Sequence, residues 1–123
     1  MEVTYFFDTY ALFEIFHENK NYLPYAKNIS LITTKLNLME LHYSILRLYG
    51  KEKAEKAFNF FNEFCLEIED EIIKNANEFR LKNYRRDLSY IDCIGYILAK
   101  KFNAKFLTGD IQFKDFENVE FVK

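Results

Sequence analysis

Val3-Thr4-Tyr5-Phe6-Phe7-Asp8 is the stretch on which the reading of the fold turns. From residue 3 to residue 7 it is β-branched and aromatic without a break, as in a strand buried on both faces. The run stops at a carboxylate. Residues 9–19 then take helical spacing, with Leu12, Phe13 and Phe16 on one side. Asp8 is therefore the last residue of a strand and the N-cap of the helix that follows, the opening of a β-α unit.

The pattern repeats outward from that start. A short helix over residues 21–28 carries the only proline, Pro24, and residues 29–33 form a second strand. Residues 34–49 make a helix with Leu38, Leu41, Ile45 and Leu48 inward, ended by Gly50. Residues 51–64 make another, with Ala54, Ala57, Phe58, Phe61 and Phe64 inward. Residues 65–68 are a candidate third strand. Asp70 caps a helix to about residue 84, with Ile72, Ile73, Ala76 and Phe79 on its inner face. Residues 88–102 are helical, residues 105–108 form a strand that stops at Gly109-Asp110, and residues 120–122 add an edge strand. Strands alternating with helices predict an α/β fold, a mostly parallel sheet with helices on both faces, formed as a single domain over residues 1–123.

Composition agrees and narrows the function. Half of the 123 residues are apolar and 19% are aromatic, enough for a packed core. No apolar run reaches the roughly 18 residues of a membrane span, and the first eight residues lack the basic start and long apolar core of a signal peptide. A cytoplasmic location is expected. Cys65 and Cys93 lack C-x-x-C spacing and read as two buried free thiols, not as a zinc site or redox pair. The formal charge of −2 is unusual for a nucleic-acid binder. If four of the 19 acids are committed to metal, the remainder turns slightly positive.

Four acids stand apart from the surface glutamates. Asp8 and Asp110 follow the ends of two strands, and in open α/β sheets such positions converge on one edge, where ligands bind. Glu40 and Asp92 sit on or beside helix faces that should be buried, where an unpaired carboxylate is costly. Carboxylates without a nearby histidine suit Mg²⁺ or Mn²⁺, which can activate water against a phosphodiester. Each acid also has an ordinary reading: a helix cap for Asp8, an ion pair with Arg47 or Lys35 for Glu40, a half-exposed helix position for Asp92, a turn for Asp110. His17 and His42 read as structural.

In order along the chain, Asp8-Thr9-Tyr10-Ala11-Leu12, Asn37-Leu38-Met39-Glu40, Leu88-Ser89-Tyr90-Ile91-Asp92 and Phe106-Leu107-Thr108-Gly109-Asp110 resemble the four motifs of the PIN-domain ribonucleases. The resemblance implies a three-layer α/β/α fold with a parallel sheet of about five strands. It implies a metal-dependent ribonuclease that hydrolyses single-stranded RNA to a 5′-phosphate and a 3′-hydroxyl. Asp8, Glu40, Asp92 and Asp110 would hold Mg²⁺ or Mn²⁺, with Thr9, Ser89 and Thr108 positioning water or phosphate. Many small members are VapC-type toxins. That would give this chain a homodimer and a protein antitoxin, seated on the helices over residues 21–28 and 34–49. Arg85, Arg86, Lys35 and Lys101 are candidate phosphate contacts, and Asp115 matches only loosely.

Two alternatives are weighed. A non-catalytic or housekeeping PIN domain would act as an RNA-processing binding module. A haloacid-dehalogenase-like phosphatase would use Asp8, Gly109-Asp110 and Asp115, but it needs an acid at position 10, where Tyr10 stands.

Overall fold

The computed structural model describes residues 3–123, so Met1 and Glu2 of the expected domain and of the leader reading lie outside the described residues. Five parallel strands form the sheet: β1 (Thr4–Phe7), β2 (Ser30–Thr34), β3 (Cys65–Leu66), β4 (Lys105–Thr108) and β5 (Val119–Phe121), in the order β3-β2-β1-β4-β5. The first strand is thus the central one, and Phe7 pairs with Leu107 of β4.

The apolar run in β1 has the physical cause expected of it. Phe6 joins one core with Ile72, Tyr96, Phe106 and Phe113, while Phe7 joins a second core with Leu12, Leu38, Leu41, Ile45 and Phe61. Successive side chains point to opposite faces, so a strand covered on both sides must be apolar at every position. Helices α4 (Asp70–Lys82) and α5 (Tyr90–Lys101) supply the first layer. Helices α1 (Thr9–Phe16), α2 (Lys35–Tyr49) and α3 (Lys51–Asn62) supply the second. The three-layer α/β/α fold is as expected from the chain.

Several boundaries move, each for a local reason. Helix α1 stops at Phe16 because Glu18 turns into the left-handed region at φ 56°. The next segment is a 3₁₀ turn, Lys20–Tyr25, and the proline inside it has no N–H to give an α-helical ladder. Asp70 is the first residue of α4 and not its cap, a place taken by Glu69 without a side-chain bond. Helix α5 begins at Tyr90 with Ser89 as cap. Leu88 precedes it, buried in the same core as Cys93, a hydrophobic staple across the helix start. Leu48 and Ile73, expected inward, are exposed; Leu48 borders an open groove against α1 instead of packing in the core. Cys65 and Cys93 are free thiols as expected, but only Cys93 is buried; Cys65, on the edge strand β3, is half-buried.

Candidate active site

The C-terminal ends of β1 and β4 lie side by side, and this adjacency builds the centre of the site. Asp8 is the N-cap of α1: its Oδ1 accepts from the Ala11 amide at 2.8 Å. Its other oxygen accepts from the buried Thr108 hydroxyl at the end of β4. Thr108 Oγ1 in turn accepts from the Asp110 amide at 3.0 Å, and Asp110 Oδ1 caps the turn Ile111–Phe113 by accepting from the Gln112 amide at 2.9 Å. A chain of hydrogen bonds therefore runs from one strand-end acid to the other.

Glu40 enters from α2. Its Oε1 accepts from the Thr9 hydroxyl at 2.6 Å, and Thr9 Oγ1 accepts from Asn37 Nδ2 at 3.2 Å. Asn37 is fully buried and its Oδ1 accepts from Thr34 Oγ1 at 2.6 Å. Asn37 is a positioning residue that the sequence does not single out, because its role depends on Thr9, distant along the chain. The expected Arg47 or Lys35 partner of Glu40 is absent among the described residues.

Asp92 lies in the first turn of α5. Ser89 Oγ accepts from its amide at 3.0 Å, half of a capping box. The reciprocal bond, from the Ser89 amide to the Asp92 carboxylate, is not formed among the described residues. That carboxylate lies instead within the fields of Asp8, Glu40 and Asp110.

Electrostatics shows the four acids acting on one another. Burial pushes the Asp8 carboxyl up to about 8, against the pull of the Thr108 hydroxyl and the Ala11 amide, and the charges of Asp92 and Asp110 add to the rise. Burial likewise lifts Asp92 to about 6, opposed by Ser89 and aided by Glu40 and Asp110. Among the described residues no Lys, Arg or His forms an ion pair with any of the four. A buried carboxylate repelled by its neighbours and without a cation is at a high cost unless protonated or bound to a metal.

The donor set is all oxygen, which fits a hard divalent cation. Among the described residues no three acidic, imidazole or thiol groups are already drawn together as a finished metal cage.

The basic candidates divide. Arg86 Nη1 donates to the Gln112 carbonyl at 2.8 Å, holding the turn that carries Asp110. Lys101 does not belong to the site: it is paired with Glu69 at 2.6 Å, and nine helical residues, about 13 Å, separate it from Asp92. Lys35 is exposed near the Phe58 ring. His17 contacts Tyr49, and His42 lies edge-on to Phe58. At position 10 the Tyr10 ring packs against Gly109, so the acid that a dehalogenase-like phosphatase needs there is absent.

No curated protein sequence is similar enough to this chain to count as a match. Solved structures share its fold at low identity. VapC20 of Mycobacterium tuberculosis, described as a sarcin-ricin loop cleaving toxin, aligns with a TM-score of 0.76 at 17% identity, over 94% of this chain and 98% of that one. A toxin-antitoxin complex from Klebsiella pneumoniae gives 0.74 at 17% identity, over 94% of each chain. VapBC2 of Rickettsia felis, solved bound to a DNA fragment from its promoter, gives 0.73 at 20% identity, over 98% of this chain and 100% of that one. The family model for the PIN domain matches residues 5–119, nearly the whole of the fold and all four acids, and the chain belongs to the PIN domain family.

Proposed function

We propose that the protein is a Mg²⁺- or Mn²⁺-dependent endoribonuclease that hydrolyses single-stranded RNA, with Asp8, Glu40, Asp92 and Asp110 as the metal-holding acids. One observation carries this reading. Asp8 is buried, held at both oxygens, and lifted to about 8 by its surroundings and by Asp92 and Asp110, with no basic partner among the described residues. Fixing an acid in that condition costs stability, and a divalent ion offsets the cost.

When bound, the ion supplies Lewis acidity for an attacking water and for the charge developing on phosphate. The protein's own residues supply position. Thr108 and the Ala11 amide clamp Asp8, Thr9 holds Glu40, the Gln112 amide holds Asp110, and Ser89 fixes the start of α5 under Asp92. The hydroxyls of Thr9 and Thr108 are engaged with acids, so they serve substrate by positioning ligands more than by touching it.

The toxin of a toxin-antitoxin pair is the biological role this reading favours. Support comes from the VapC-like fold and from an exposed apolar strip, Met39, Tyr43 and Leu46, on α2, one of the two helices expected to seat an antitoxin. A homodimer is part of the same proposal.

Incubation of a single-stranded RNA with the protein and Mn²⁺ or Mg²⁺, beside Asp8→Asn and Asp92→Asn, tests the activity. Metal-dependent cleavage lost in both variants is expected. No cleavage by wild type, with RNA binding retained, would point to a non-catalytic binding module. Equal cleavage by wild type and both variants would remove these acids from the reaction.

A further inference from the structure

Three of the chain's four arginines, Arg80, Arg85 and Arg86, fall between residues 80 and 86, in a protein of formal charge −2. Among the described residues none of the three is in an ion pair. Each lies instead over an aromatic ring: Arg80 over Tyr90 at 4.1 Å, Arg85 over Tyr84 at 5.5 Å, Arg86 over Phe116 at 4.5 Å. Tyr90 and Tyr84 are 62% and 68% exposed. Arg80 is further fixed because its Nε donates to the Leu88 carbonyl at 3.0 Å, while its terminal nitrogens have no partner among the described residues.

Resting on the nuclease reading above, we infer that the Arg80–Tyr90 stack is a platform for single-stranded RNA, set at the start of α5, the helix whose first turn carries Asp92. Tyr90 opens α5 and Asp92 follows two residues later, about 3 Å along the axis but on another side of the helix, so the stack flanks the helix start and does not join the acids. A guanidinium with free terminal donors meets a phosphate, and the open part of the tyrosine ring meets an unstacked base. Duplex RNA hides its base faces, so such a platform selects single strands. An acidic peptide would satisfy the arginines but would leave the two exposed rings without a flat partner. The patch gives an acidic chain three guanidinium groups within seven residues, none of them in an ion pair among the described residues.

The test is fluorescence anisotropy of a labelled, unstructured 12-nucleotide RNA with the full chain, all variants carrying Asp8→Asn so that the probe stays intact. Tyr90→Ala is expected to weaken binding about five- to tenfold or more, and Tyr90→Phe to restore most of it. Arg80→Lys keeps the charge without the flat guanidinium and is expected to fall between them. Lys56→Ala, on the far exposed face of α3, controls for charge alone. Cleavage by the same substitutions in the Asp8-containing protein should show a raised KM and a nearly unchanged kcat. Unchanged affinity in Tyr90→Ala and Arg80→Lys, or no RNA binding at all, overturns the platform. So does polyglutamate peptide binding as tight as RNA and indifferent to Tyr90→Ala. Wild-type cleavage with an unmoved KM in the variants sinks the platform alone, and absence of cleavage with Tyr90-dependent binding sinks only the nuclease reading.

Discussion

Thr9 and Glu40 are joined by a 2.6 Å hydrogen bond that ties the first turn of α1 to the middle of α2, and with it one acid of the site to the strand end that carries another. Asn37 completes the arrangement from below by donating to the same hydroxyl. The orientation of Glu40 therefore depends on a side chain that need not touch metal or RNA.

Thr9→Val removes that donor with little change in shape. Positioning partners of metal ligands commonly contribute 10- to 100-fold, and a loss of metal-dependent cleavage of about that size is expected, with Thr9→Ser near wild type. Cleavage rates at several Mn²⁺ concentrations check this. An unaltered rate in Thr9→Val would mean that Glu40 orients itself.

Metal-free stability should fall as pH rises. Asp8 and Asp92 bind their protons more tightly in the folded state, with values of about 8 and about 6. Both lie above the unfolded values, so the stability linked to these protons is full in acid and is lost as pH climbs to the folded values. Thermal melts in chelator from pH 4.5 to 8.5 should show a falling Tm. Asp8→Asn should flatten most of the fall and raise Tm at pH 8. Addition of Mg²⁺ or Mn²⁺ at pH 8 should restore stability to wild type only. A wild-type profile parallel to that of Asp8→Asn would contradict the assignment of strain to Asp8.

Arg86→Ala distinguishes two roles for this arginine. Its bond to the Gln112 carbonyl braces the turn under Asp110. Bracing predicts that the variant needs about tenfold more metal for half-maximal rate. Direct phosphate contact predicts instead a raised KM for RNA at saturating metal, which kinetics in the two concentrations resolves.

Gly95→Ala should destabilise the fold without altering the chemistry of the acids. A Cβ there would stand 2.6 Å from Phe6 and 3.2 Å from Phe106, both buried ring carbons between α5 and the sheet. Overpacking of this kind costs about 1–3 kcal/mol, measurable by denaturant unfolding. A change below a few tenths would mean that the Phe6–Phe106 stack yields easily.

Much of this was legible in the chain because the signals are local. Phe6 and Phe7 announce a doubly covered strand, and Asp8 and Asp110 announce strand ends, without reference to anything distant. The two-residue β3 was read too long because an edge strand pairs only as far as its neighbour extends: β2 offers Thr33 and Thr34. Asn37 was missed because its partner is Thr9, and Lys101 was misplaced because its place at the far end of α5 comes from the length of that helix. Arg80 is not legible as a partner of Tyr90 because the two lie on different helices, α4 and α5, and meet only in the fold. Sequence spacing shows which residues share a helix face, but not which face another element will cover.

The central position of β1 has a consequence for synthesis. Asp8 is made 100 positions before its hydroxyl partner, Thr108, on the neighbouring strand. Until that strand has left the ribosome, β1 is paired on its β2 side alone, Asp8 has one clamp in place of two, and Asp110 has not been added. A chain made only as far as α5 therefore cannot yet close the Asp8–Thr108 link, and the assembly of the site waits on β4.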